Sequence, residues 1–146
     1  MEKQEFKIAI DAPREKVWKV LWANDTYQEW TKAFSEGSHA VTDWKKGSKV
    51  LFLDGKGSGM VSAIDENIPN EYMSFKHLGV VKNGVEDVDS DEVKGWAGAH
   101  ENYTLKDIQG NTELVVDMDI NDEFKDYFSA TFPIALQKVK ELAEHA

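Results

Sequence analysis

The sequence predicts an α+β fold: a curved antiparallel sheet of about seven strands wrapped on a long C-terminal helix, with two short helices after the first strand. Three observations carry this. Over residues 121–146 apolar side chains recur at spacings of three and four, which places one buried face on a helix. From residue 38 to residue 120 the period changes to two, and in the last strand Leu114, Val116, Met118 and Ile120 alternate with Glu113, Asp117 and Asp119. One dry and one wet face mark an antiparallel sheet, and the dry face must be covered by another layer. The terminal helix is the cover.

Each element has its own warrant. Phe6, Ile8 and Ile10 share one face of a first strand. Asp11-Ala12-Pro13 starts a helix, with proline in its first turn and Asp11 as cap; Val17, Trp18, Leu21 and Trp22 form its stripe. Asn24-Asp25 breaks it, and Asp25 with Gln28 forms a capping box for a second short helix carrying Tyr27, Trp30 and Phe34. Strands follow at residues 39–44, 49–53, 58–65 and 72–78, separated by turns at Lys46-Gly47, at residues 54–57 and at Ile68-Pro69-Asn70. Residues 79–95 read as a long acidic connection, mobile and near the entrance of any interior pocket. A strand within 96–108, a tight turn at Gly110-Asn111 and a strand at 112–120 complete the sheet. The final helix has Asn121 and Asp122 as its cap and acids in its first turn. Its buried face is Phe124, Phe128 and Phe132, with Tyr127 and Thr131 beside them, then Ala135, Leu136, Val139, Leu142 and Ala143. Pro133 cannot donate to the residue four back, so a kink or break is expected there.

Composition bounds the function. At 146 residues the chain reads as one domain, 1–146, able to bury about 70% of its unfolded surface. A hydrophobic content of 41% with five Trp argues against disorder. A formal net charge of -10 argues against nucleic acid or an anionic membrane as partner, because both need a basic face. Without Cys there is no disulfide, thiol nucleophile or cysteinyl metal site. The first ten residues lack a signal-peptide h-region and no apolar run approaches a membrane span, so a cytoplasmic protein is expected.

The ordered motifs resemble a family. Ile10-Asp11-Ala12-Pro13 with Val17-Trp18 and Trp30, Asp43-Trp44-Lys45-Lys46-Gly47, Gly59-Met60-Val61, Glu71-Tyr72-Met73-Ser74-Phe75, Trp96 leading to Glu101-Asn102-Tyr103, and Thr112-Glu113-Leu114 are similar to the START-like, helix-grip (SRPBCC) superfamily. That superfamily holds the birch pollen allergen, the polyketide cyclases and the lipid-transfer domains. Within it the chain most resembles the branch named for the activator of the ninety-kilodalton heat-shock protein's ATPase. The resemblance runs over nearly the whole chain. It implies a pocket between the curved sheet and the long helix, but no single function, since such folds host many.

In such a pocket Phe124, Tyr127, Phe128 and Phe132 would face Phe52, Met73, Phe75 and Met118, with Trp30 and Phe34 near the mouth. The plainer alternative is that these side chains fill the interior. Polar groups on the dry face say more, because burying one unpaired is costly. If Met73 and Phe75 point inward, so does His77; if Tyr103 and Leu105 do, so does Glu101. They could hold a ligand's polar end or act as an acid/base pair. The plainer alternatives are that neighbouring side chains satisfy both, or that a register shifted by one residue turns both to water.

Other motifs fail on inspection. Gly55-Lys56-Gly57-Ser58-Gly59 has no following helix to make a phosphate loop. Asp87, Asp89 and Asp91 alternate like a calcium loop, but Glu92 stands where glycine is needed and Gly98 where glutamate is needed. The four His show no metal-binding spacing, so no metal or cofactor is expected, and no Ser-His-Asp set is visible in sequence. The reading that remains is a carrier or sensor for a small lipophilic or aromatic molecule. Its alternatives are an enzyme of the cyclase, aromatase or hydrolase type and a co-chaperone-like module, the last without support beyond the branch name.

Overall fold

A computed structural model describes residues 2–145; Ala146, the expected end of the last helix, lies outside the described residues. The order is β1 (Glu2–Ile10), α1 (Arg14–Trp22), α2 (Asn24–Thr31), β2 (His39–Val41), β3 (Lys49–Leu53), β4 (Gly59–Ile68), β5 (Tyr72–Lys82), β6 (Val85–Asp87), α3 (Asp91–Lys94), β7 (His100–Ile108), β8 (Asn111–Ile120) and α4 (Asp122–Glu144). The eight strands form one antiparallel sheet in the order β1-β8-β7-β5-β4-β3-β2, with β6 paired to β5. Helix α4 packs on β1, α1 and α2. The α+β class, the curved antiparallel sheet and its covering C-terminal helix are as the periodicities predict.

The core follows period two. Ile10, Val50, Ile64, Met73, Phe75, Tyr103, Leu105, Leu114, Val116, Met118 and Ile120 are buried, and Val17, Leu21, Trp22, Ala135, Leu136 and Val139 close over them from the helices. Phe132 stacks on Phe6 with ring centroids 4.8 Å apart, which seats α4 against β1. The far end of α4 is tied down by Glu144, whose carboxylate accepts from the Asp11 backbone N–H at 2.8 Å and pairs with Lys140. These two donors, the Lys140 ammonium first, hold the Glu144 carboxyl below its usual range.

Several local expectations are corrected. Helix α4 runs unbroken through Pro133, because burial of Thr131, Phe132, Ala135 and Leu136 on either side outweighs the one lost backbone bond. Asn121 occupies its cap position without a side-chain cap bond. Pro13, not Asp11, caps α1, and Asp11 is held by Glu144 instead. The capping box is not made: Ala23 caps α2, Asp25 lies inside the helix, and Gln28 bonds Asn24 at 3.2 Å. The strand from His39 ends at Val41, and Trp44 adopts a positive φ of 63° in the turn beyond. Residues 95–98 form a turn before β7 begins at His100.

The acidic connection at 79–95 is the largest difference. β5 continues to Lys82 and turns back into β6. Asn83 and Gly84 have φ of 52° and 82°, the paired positive values of a type I′ hairpin turn. Ser90 then caps α3 by accepting from the Val93 N–H. Buried Val81 and Val93 anchor the segment.

Candidate functional site

Alternation along β5 and β7 sends Met73, Phe75 and His77, and Glu101 and Tyr103, to the concave face. Phe75 lies opposite Glu101, and Glu101 opposite Met118. Ser62 on β4 lies opposite His77, where the register slips by one residue between Val61 and Ser62. Such a bulge bends the strand and re-aims the adjoining side chains.

Here the fold assembles a polar chain that the sequence order hides. Ser62 Oγ is 2.6 Å from His77 Nδ1, and His77 Nε2 is 3.0 Å from Glu101 Oε1. The Tyr103 hydroxyl donates to Glu101 Oε2 at 2.5 Å. With Glu101 an acceptor, His77 donates through Nε2, and its Nδ1 accepts from the Ser62 hydroxyl. Two donors thus converge on the Glu101 carboxylate, the His77 Nε2–H on Oε1 and the Tyr103 hydroxyl on Oε2, with Ser62 bonded behind His77. Ser62 is fully enclosed, whereas 18% of the Glu101 side chain is accessible. Burial, then the adjacent Glu101 charge, pushes the Tyr103 phenol well above its ordinary range, so it stays a donor. The same two causes raise Tyr27.

Rings surround the chain. Trp22 lies 5.0 Å from Tyr103, 5.4 Å from Phe75 and 5.2 Å from Trp44, and Phe52 lies 5.0 Å from Phe75 and 6.2 Å from His77. The Trp22 indole N–H is buried without a hydrogen-bond partner among the described residues.

Of the side chains expected to line a pocket, Phe52, Met73, Phe75, His77, Glu101, Tyr103 and Met118 meet on the concave face. Phe34, Phe128 and Phe132 form an adjoining cluster, with Phe34 4.9 Å from Phe132. Trp30 is not at a mouth; it is buried, and its indole N–H donates to the Leu21 carbonyl at 3.1 Å. Phe124 and Tyr127 do not face inward: they are 48% and 46% exposed. On a 3.6-residue helix Tyr127 lies about 140° round from Phe132. The start of α4 is held over the polar edge of β1 by Lys125–Glu2 and by Gln4–Ser129, not over the aromatic rows. Ser62, Trp22 and Trp44 were missed by the sequence reading. Trp22 stood in the expected stripe of α1, but nothing in sequence joins Ser62 to His77, because the bulge sets that pairing.

A groove of about 860 Å3 lies elsewhere, between α2 and α4. Among the described residues no three His, Asp or Glu side chains converge as a metal site, and no helix is long and apolar enough to cross a membrane.

Residues 11–144 match the family model described as activator of Hsp90 ATPase homolog 1-like protein. The solution structure of the Aha1 dimer from Colwellia psychrerythraea is similar over 99% of this chain and 97% of that one, at 18% identity and a TM-score of 0.75. A crystal structure of a protein from Mesorhizobium loti matches over 99% and 98%, at 14% identity and a TM-score of 0.75. The solution structure of a protein from Cytophaga hutchinsonii matches over 99% and 95%, at 19% identity and a TM-score of 0.72. At these identities the likeness is one of fold. No curated protein matches the sequence.

Proposed function

Since the chain belongs to the activator of Hsp90 ATPase homolog 1-like family and has its helix-grip architecture, we propose that it binds a small lipophilic or aromatic molecule on the concave face, with the ligand's polar end at Glu101. The observation that carries this is the polar chain itself. Within an aromatic interior, two donors hold one carboxylate and Ser62 braces one of them, and 18% of the Glu101 side chain is accessible against 7% of His77. A carboxylate has about four lone-pair sites, of which two are used, so it can accept further hydrogen bonds.

This sets the chemistry of the ligand. Both ring nitrogens of His77 are occupied, so His77 is not free to hold a carboxylate or phenolate. The accessible group is an acceptor, and it selects a donor: a hydroxyl, phenol or amine on an apolar body. Ser62, His77 and Glu101 bond in the order of a serine–histidine–carboxylate triad, but Ser62 is fully enclosed, so no substrate carbonyl reaches its hydroxyl. A binding role therefore has more support than hydrolysis.

The test is thermal unfolding of wild type and Glu101→Gln with a panel of flavonoid-, fatty-acid- and sterol-like compounds. Hydroxyl-bearing members should raise the wild-type midpoint, and carboxylates should not. Glu101→Gln should lose most of that rise. A panel that stabilises neither protein, or both equally, would count against the assignment.

A further inference from the structure

The face of α4 turned away from the core is not uniformly polar. With the buried stripe running through Phe132, Leu136, Val139 and Ala143, residues 134, 137, 138 and 141 lie on the opposite side of a 3.6-residue helix. Ile134 there is 65% exposed. With Glu29 of α2, with Lys32 and Ala33 in the turn that follows it, and with Pro133, this stripe lines the groove of about 860 Å3. Two lysines and two glutamates lie along it, so the groove is locally neutral on a chain whose formal net charge is -10. Glu29 and Lys32 pair with each other at 3.8 Å. Lys138 and Glu141 have no ion-pair partner among the described residues.

We propose that this face is a two-fold interface with a second copy of the chain. Two such acidic molecules repel over most of their surfaces and approach most easily where each is neutral. A two-fold axis makes contacts reciprocal, so a patch that carries one unpaired cation and one unpaired anion is its own complement. With α4 helices antiparallel about an axis near the middle of the stripe, Lys138 of each copy reaches Glu141 of the other. Ile134 then lies against the methylene stem of the opposing Lys138. The surface lies on the far side of α4 from Glu101, so self-association leaves the concave face untouched, and failure of either proposal leaves the other standing.

The test is sedimentation velocity over a concentration series of the full chain at low salt. The wild type should show a reversible monomer–dimer equilibrium. Lys138→Glu and Glu141→Lys, taken singly, should each weaken association by about tenfold or more, since each sets like charges opposite one another. The double variant K138E/E141K should recover the wild-type constant. Ile134→Glu, at a largely exposed position that leaves the fold unchanged, should abolish the dimer. A wild type that stays monomeric up to millimolar concentration would overturn the proposal. So would a dimer that the single reversals leave intact, or one that the double swap fails to restore.

Discussion

Replacing Tyr103 by Phe removes one oxygen from one end of the polar chain and leaves the ring where it is. The ring is fixed by Trp22 at 5.0 Å and Phe75 at 6.1 Å, so packing is retained. What is lost is a 2.5 Å bond from a buried hydroxyl to the Glu101 carboxylate. A hydrogen bond to a charged group contributes about 1.5–3 kcal/mol. Glu101 retains some solvent access, so water replaces part of the lost bond and the low end of that range, about 1.5–2 kcal/mol, is expected. In a domain of this length that lowers the melting midpoint by roughly 3–8 °C. Urea unfolding of wild type, Tyr103→Phe, Glu101→Gln and the double variant closes a double-mutant cycle. Because both single changes act through the same bond, the double variant should cost less than their sum by about 1 kcal/mol. Additivity to within about 0.3 kcal/mol would show that the two side chains do not cooperate and would refute the relay as described.

Two further outcomes follow from burial. Ala63 pairs with Lys49 and Lys76 on the outer face, whereas Ala135 is fully enclosed on the buried face of α4. Ala63→Trp should therefore be tolerated, and Ala135→Trp should overpack the core and cost about 1–3 kcal/mol or more; equal midpoints in urea would contradict the assigned faces. Tyr27 and Tyr103 have folded-state values raised above the unfolded value of about 10. Their contribution to stability is thus intact below pH 10 and is lost as pH rises beyond it, at about 1.4 kcal/mol per pH unit for each buried phenol. Denaturant midpoints should fall from pH 10 upward, less steeply in Tyr27→Phe, and a slope unchanged by that substitution would count against it.

The sheet was legible because its inner face is almost wholly apolar: Leu114, Val116, Met118 and Ile120 leave one register open. The inward turn of His77 and Glu101 followed from the same period. Less visible was anything decided by contacts between distant segments. Asp11 reads as a cap, but Glu144, distant in sequence, takes its N–H. Phe124 and Tyr127 share a spacing with Phe128 and Phe132, yet only the latter two find the aromatic partners Phe34 and Phe6. The Asn83-Gly84 hairpin was a local signal, obscured by the five acids that follow it between Glu86 and Glu92. The Ser62–His77 pair depends on a bulge, and no periodicity reports a one-residue slip.

The most direct test of ligand binding at Glu101 is native mass spectrometry of gently purified protein, with wild type and Glu101→Gln side by side. Both are measured as isolated and after incubation with hydroxyl-bearing aromatic and sterol-like compounds. The account predicts a non-covalent adduct of one small neutral molecule on the wild type that is lost or strongly reduced in Glu101→Gln. The bare chain mass alone in both proteins, under every incubation, would contradict it.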